Sequence, residues 1–188
     1  MHALDRLPAF PEGNALPDVS EPMLARDIGL RAASSDDAHF LHALFCALKY
    51  EELGLAHWPE SLRQPFLDQQ FALQHTQYVN AYPRADFLIV EHRNQPIGRY
   101  YLLRERPCYH IVDIALDPAW RGRGIGTLLL DWTQSQARRQ SAGGISLQVD
   151  ERNAGALHLY ARLGFTETAR ETPYVSMRWA NQAQLKTA

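Results

Sequence analysis

The chain has 188 residues, 46% of them hydrophobic, and a formal net charge of −2 at pH 7. That length suffices for one buried core and is short for two, and the charge supplies no global basic field of the kind that recruits nucleic acid. Cys46 and Cys108 are too few for a disulfide framework, Met1 to Pro11 shows neither a basic start nor a continuous apolar core of a secretory leader, and no apolar run is long enough to cross a membrane.

These features describe a soluble, cytoplasmic chain with no nucleic acid, membrane or metal among its expected partners. Prolines at 8, 11, 17 and 22, with few periodic apolar residues, make Met1 to Pro22 an extended or disordered arm. The domain is expected over residues 27–180, preceded by an arm at 1–26 and followed by a tail at 181–188. Asp27 to Ala33 reads as a first strand. Ser34 to Asp37 offers N-cap residues ahead of Phe40, Leu41, Leu44, Phe45 and Leu48 at helical spacing, and that helix is expected to end near Gly54. A second helix is expected from Gln64 to Tyr82, stopped by Pro83.

Beyond Pro83 the apolar pattern changes from helical to extended. Phe87 to Val90 and Ile97 to Leu103 flank a polar turn at Arg93-Asn94-Gln95, and Tyr109 to Leu116 follows a loop around Pro107, so an antiparallel meander is predicted. The stretch Trp120-Arg121-Gly122-Arg123-Gly124-Ile125-Gly126-Thr127 comes next. Its glycines let the backbone turn tightly and bring free N–H groups close to an anion, Arg121 and Arg123 add full charges, and Ile125, Leu128, Leu129 and Trp132 recur at helical spacing behind it. Its last glycine, Gly126, is followed by Thr127 and Leu128 and not by the Lys and then Ser or Thr of a nucleotide P-loop, and its glycine spacing and position do not fit a dinucleotide fingerprint. The helix is expected to end at the pair Gly143-Gly144 as a C-cap. Ile145, Leu147 and Val149 alternate as a strand, Asn153 can cap a helix through Leu157, Tyr160 and Leu163 up to Gly164, and Phe165 and Val175 to Trp179 read as closing strands.

Two local patterns carry a resemblance. Asp117-Pro118-x-Trp120-Arg121-Gly122-x-Gly124-Ile125-Gly126 resembles the pyrophosphate loop of the GCN5-related N-acetyltransferase (GNAT) family. Asn153-x-x-Ala156-x-x-Leu159-Tyr160-x-x-Leu163-Gly164-Phe165 resembles that family's second cofactor segment, and the order of elements from Asp27 to Trp179 is similar to the whole fold. The resemblance implies an α+β domain with a mixed, mostly antiparallel sheet of about seven strands flanked by four helices. It implies acetyl-coenzyme A as cofactor, held by Arg121, Gly122, Arg123, Gly124, Ile125, Gly126 and Thr127. It further implies main-chain contacts from Ile114, Ala115 and Leu116, where strands four and five splay apart, and contacts from Asn153 and Tyr160. Family members often form homodimers, but no residue pattern marks an interface here.

Acetyl transfer from a thioester to an amine needs a polarised carbonyl, a neutral amine and a proton for the leaving thiolate. By resemblance Tyr160 donates that proton, and this reading is preferred to that of a core aromatic on an amphipathic helix, because the motif around it is specific. Asp113 is the candidate base, because a carboxylate in the apolar strand Ile111 to Leu116 is costly unless it faces a cleft or has a partner; a structural carboxylate bonded to nearby backbone or to an Arg is the other reading. His110 is the second candidate for the base. Some family members use a Glu in strand five, where this chain has Gln148, which cannot accept a proton. Glu51, Glu52 and Trp58, near the end of the first helix, form an acidic pair beside an aromatic that could attract a cationic acceptor, or simply a solvated helix end. Acetyl transfer to a small-molecule amine or a protein amino group is the leading reading. The alternatives are a catalytically silent acyl-coenzyme A-binding regulator and transfer of a longer acyl group.

Overall fold

From Phe87 to Leu103 apolar side chains occupy both alternations of an extended chain, so these strands must be covered on both faces. In the computed structural model, which describes residues 7–16 and 18–182 and only the backbone of Glu51, they form β2 (Asp86–His92) and β3 (Gln95–Leu103). The turn between them places Arg93 and Asn94 at φ of 51° and 62°, as a tight hairpin demands. With β1 (Ile28–Ala32), β4 (Cys108–Leu116), β5 (Gly144–Asp150), β6 (Thr166–Glu171) and β7 (Tyr174–Ala180) they make one seven-stranded sheet in the order β1-β2-β3-β4-β5-β7-β6. Every neighbouring pair is antiparallel except β4 with β5. The expected α+β architecture is the observed one.

Helices cover both faces. After a one-turn helix α1 (Glu21–Leu24), α2 (Ala38–Glu52) and α3 (Glu60–Ala81) bury Leu41, Phe45, Leu67 and Phe71 against Ile89 on one face. On the other face, α4 (Ile125–Arg139) and α5 (Ala154–Arg162) bury Leu129, Trp132 and Tyr160 with Leu88, Val90, Tyr100 and Leu102. Helix α3 begins at Glu60, four residues before the expected Gln64, and runs through Pro65, which forfeits one helix bond to the Ser61 carbonyl without ending the helix. Among the described residues no helix is long and apolar enough to cross a membrane.

The stretch expected to stand ahead of the domain packs onto it. Met23 is fully buried, Leu16 and Val19 lie against the same core, and Phe10 meets His75 and Phe87. Two backbone carbonyls of this stretch are held from opposite faces of the sheet, Pro8 by His75 Nε2 at 2.8 Å and Asp18 by Trp132 Nε1 at 3.0 Å. Residues 1–6, Pro17 and the tail from 183 lie outside the described residues.

The glycine pair expected to cap α4 does something else. The helix ends at Arg139, Gln140 is its cap, and Ser141 takes the left-handed turn at φ 54°. Gly144 is already in β5, and a Cβ there would stand 2.4 Å from the Trp179 carbonyl of β7. Glycine is required by close backbone approach between two strands. Gly144→Ala is therefore expected to destabilise the fold by about 1–3 kcal/mol, as overpacking does, and to lower Tm on the order of 5 °C. An unchanged Tm in a scanning calorimeter would show that the two strands can separate without cost.

Candidate active site

The site originates in a pairing irregularity. Opposite Tyr101 and Leu102 of β3, strand β4 carries Asp113 and Ile111, so Val112 is an extra residue, a β-bulge. A bulge bends its strand and increases its twist. The parallel pairing of β4 with β5 ends at this point, with Ile111 opposite Leu147 as its last pair. Beyond it β4 stays with β3, β5 stays with β7, and a cleft of about 280 Å³ opens between them.

Hydrogen-bond alternation then decides which main-chain groups face the gap. Asp117 N–H donates to Ile97 O at 2.9 Å, so two residues back Ala115 turns its N–H and C=O towards Arg99 of β3, and Ile114 and Leu116 turn theirs away from β3. Of the three main-chain positions expected at the cofactor, two point into the gap and Ala115 does not. Leu116 O receives Arg121 Nε at 3.3 Å, which ties the glycine loop to the strand.

The loop itself runs through a short turn at Pro118–Trp120, capped by the Asp117 carboxylate accepting from Ala119 N–H at 2.9 Å. Gly122 and Gly124 have φ of 70° and 76°, a region costly for residues with a Cβ. Gly124 is the N-cap of α4, and among the described residues no acceptor binds the N–H groups from Gly122 to Thr127. They stand at the positive end of a 15-residue helix. The Arg123 guanidinium lies 4.9 Å from the Trp120 ring centroid. A third arginine joins them: Arg26, just after α1, donates to the Arg123 carbonyl, and its Nη1 is 3.2 Å from where a Cβ on Gly124 would be. Thr127 Oγ1 accepts from Arg162 Nη2 of α5 at 3.1 Å.

Asp113 and Tyr160 both line the cleft, and they reach it from opposite faces of the sheet. Asp113 lies on the α3 face, where Arg99 Nε donates to its Oδ2 at 2.5 Å and Arg99 Nη2 donates to Gln74 Oε1 of α3 at 2.9 Å. Tyr160 comes from α5, whose N-terminus Asn153 caps by accepting from Ala156 N–H at 3.0 Å. Its ring is 5% exposed and rests against Phe165. Burial, reinforced by the nearby Asp113 charge, pushes the phenol pKa well up, so the proton stays on the oxygen.

The other expected residues are scattered. Arg121, Gly126, Ile114, Leu116 and Asn153 line the cleft with Asp113 and Tyr160. Gly122, Arg123, Gly124, Ile125 and Thr127 belong to the adjoining loop and helix start. Glu52 does not line the cleft; its carboxylate is bound by Lys49 at 2.5 Å and reached by Arg152 at 3.6 Å. Trp58 is exposed and leans on Phe66, and the Glu51 side chain lies outside the described residues. His110 sits on the paired part of β4, stacked on Tyr82 and bonded to Ser146 Oγ at 3.0 Å, and burial lowers its pKa. Asp150 was not singled out, because it lies at the end of an ordinary strand. It lines the cleft, and the Arg152 guanidinium, forked across both its oxygens, holds its carboxyl down to about 2.

An open sheet split at its one parallel pair, with a glycine loop and a helix start at the split, defines the class. The chain belongs to the acetyltransferase (GNAT) family, whose model matches residues 40–165. It is 33% identical over 88 residues to an uncharacterized N-acetyltransferase of Methanocaldococcus jannaschii, a match covering 43% of this chain and 39% of that one. The chain thus spans about two fifths of the length of that curated relative. Among solved structures it is similar to PaiA N-acetyltransferase of Thermoplasma acidophilum in complex with coenzyme A, with TM-score 0.62, 18% identity, and 82% and 99% of the two chains covered. Spermidine N-acetyltransferase of Vibrio cholerae in complex with coenzyme A and spermine superposes with TM-score 0.59 at 20% identity, over 85% and 98% of the chains. Those two likenesses speak to the fold.

Proposed function

We propose that the protein is an N-acetyltransferase that moves an acetyl group from acetyl-coenzyme A to a primary amine of a small molecule or a protein, directly within a ternary complex. The observation that carries this reading is the convergence on the β4–β5 gap of an anion cradle, outward main-chain groups, and Asp113 and Tyr160 from opposite faces. The cofactor fits these residues: N–H groups from Gly122 to Thr127 that no acceptor among the described residues binds stand at a helix start and suit a pyrophosphate, and the outward edge of Ile114 suits an amide-bearing arm.

When bound, acetyl-coenzyme A supplies an activated thioester and a thiolate leaving group. Arg121, Arg123 and the loop N–H groups bind and orient its phosphates, and the Ile114 main chain fixes the acetyl end. As the new N–C bond forms, the amine nitrogen becomes acidic and Asp113 accepts its proton. Tyr160, kept protonated by burial, gives its proton to the departing sulfur.

Release of free thiol from acetyl-coenzyme A, followed across polyamines, amino acids, aminoglycosides and peptide amines, tests the activity and its acceptor class together. Tight cofactor binding with no release for any amine would leave the silent binding module in its place. Comparing acetyl-, propionyl- and succinyl-coenzyme A tests the acyl group.

The loop is tested by titration. Arg123→Ala and Arg26→Ala each remove a charge beside the cradle, and a lost charge-assisted bond is worth roughly 1.5–3 kcal/mol, or about ten- to a hundredfold in affinity. Gly124→Val blocks both the φ of 76° and the approach of Arg26, and its loss should be at least as large. Wild-type affinity in all three, by calorimetry on folded protein, would remove the cofactor from this loop.

A further inference from the structure

Arg99 is 5% exposed, on a face of the sheet otherwise filled by Phe87, Tyr101 and Tyr78. Burying a guanidinium there is costly, and an apolar residue would pack more cheaply. Its surroundings leave it one orientation. Nε reaches Asp113 at 2.5 Å and Nη2 reaches Gln74 at 2.9 Å, while the rings of Tyr101 and Tyr78 lie 5.5 and 6.0 Å from its central carbon. The molecule has a second buried pair of this kind, Arg104 with Asp86, but that pair lies away from the cleft. The partner of Arg99 lines it.

We propose that Arg99, steadied by Gln74, is a positioning residue that fixes the Asp113 carboxylate at the β4–β5 gap with one oxygen engaged and the other turned to the acceptor amine. This rests on the transfer reaction proposed above. Arg99 donates to Oδ2, and among the described residues Oδ1 makes no hydrogen bond. Oδ1 is then the atom that takes the proton leaving the attacking nitrogen. The bulge at Val112 serves the same end: it puts Asp113 beside Arg99 on the α3 face at the point where the strand leaves β5.

A set of four variants tests the assignment: Asp113→Asn, Arg99→Gln, Arg99→Lys and the paired Arg99→Gln with Asp113→Asn. Arg99→Gln should lower kcat by at least about tenfold, the scale of a lost charge-assisted bond, with coenzyme A affinity unchanged by calorimetry. Arg99→Lys should recover part of that loss. The paired variant leaves no unmatched charge, so it should melt close to wild type and yet stay as slow as Asp113→Asn. Wild-type kcat in a folded Arg99→Gln, or in the paired variant, would make the pair structural only. Full activity in Asp113→Asn alone would instead overturn the proton-accepting role given to Asp113. Should Arg99→Gln fail to fold, Gln74→Ala replaces it, since it frees one arm of the guanidinium and keeps the charge: a kcat loss of about threefold or more supports the assignment, and wild-type kcat overturns it.

Discussion

Replacing Tyr160 with phenylalanine is expected to lower kcat by at least about tenfold, and by as much as the roughly 10²–10⁴ that general acid catalysis contributes, while coenzyme A affinity changes little. The substitution removes one oxygen. Phenylalanine keeps the ring that packs at 5% exposure against Phe165, so the core loses almost no volume and Tm should hold. That separates two readings of the residue. A purely packing tyrosine would lose neither rate nor affinity, whereas a proton donor loses rate alone, since the interaction is made only as the sulfur departs. The measurement needs conditions in which chemistry limits turnover, which single-turnover mixing provides. Wild-type kcat there would mean that the thiolate leaves without this proton.

The glycine loop was legible because its determinants are local. Gly122, Gly124 and Gly126 create their own turn and helix start within a few residues, and the Asn153 cap satisfies α5 three residues away. Six of the seven strands were legible for a similar reason: apolar alternation reports burial without reference to the partner strand. The exception is β6, exposed along its whole length, which begins one residue after the strand read at Phe165. What pairing decides was not legible. Whether Ile114 or Ala115 offers its main chain to the gap depends on register with β3, and the extra residue Val112 exists only relative to that partner. The costly carboxylate of Asp113 was visible in the sequence, but its partner Arg99 is 14 residues away on another strand and Gln74 lies on a helix beyond. Arg26 is farther still, 97 residues from the carbonyl it binds, in a stretch whose prolines read as an arm. Gly143-Gly144 misled because glycine serves close backbone approach as readily as a helix end.

Asp113→Asn is expected to have two effects, and their separation is the test. The first is on rate: asparagine keeps the size and the bond to Arg99 but cannot accept a proton, so kcat should fall by about 10²–10⁴. The second is on stability. Arg99 is 5% exposed, and the change strips its charge of a counterion; breaking a buried pair from one side costs about 3–5 kcal/mol, which in a chain of this size lowers Tm on the order of 10 °C. The two effects have different temperature dependence. Below the lowered transition the fold is intact and only the missing proton acceptor limits the rate, so the kcat deficit measured well below the variant's transition should persist undiminished while coenzyme A titration shows wild-type affinity. A stability effect alone would vanish on cooling. If the cooled variant turns over at the wild-type rate, the carboxylate only balances Arg99, and the proton must leave the amine through solvent in the gap, since His110 is turned to Ser146 and lies outside the cleft.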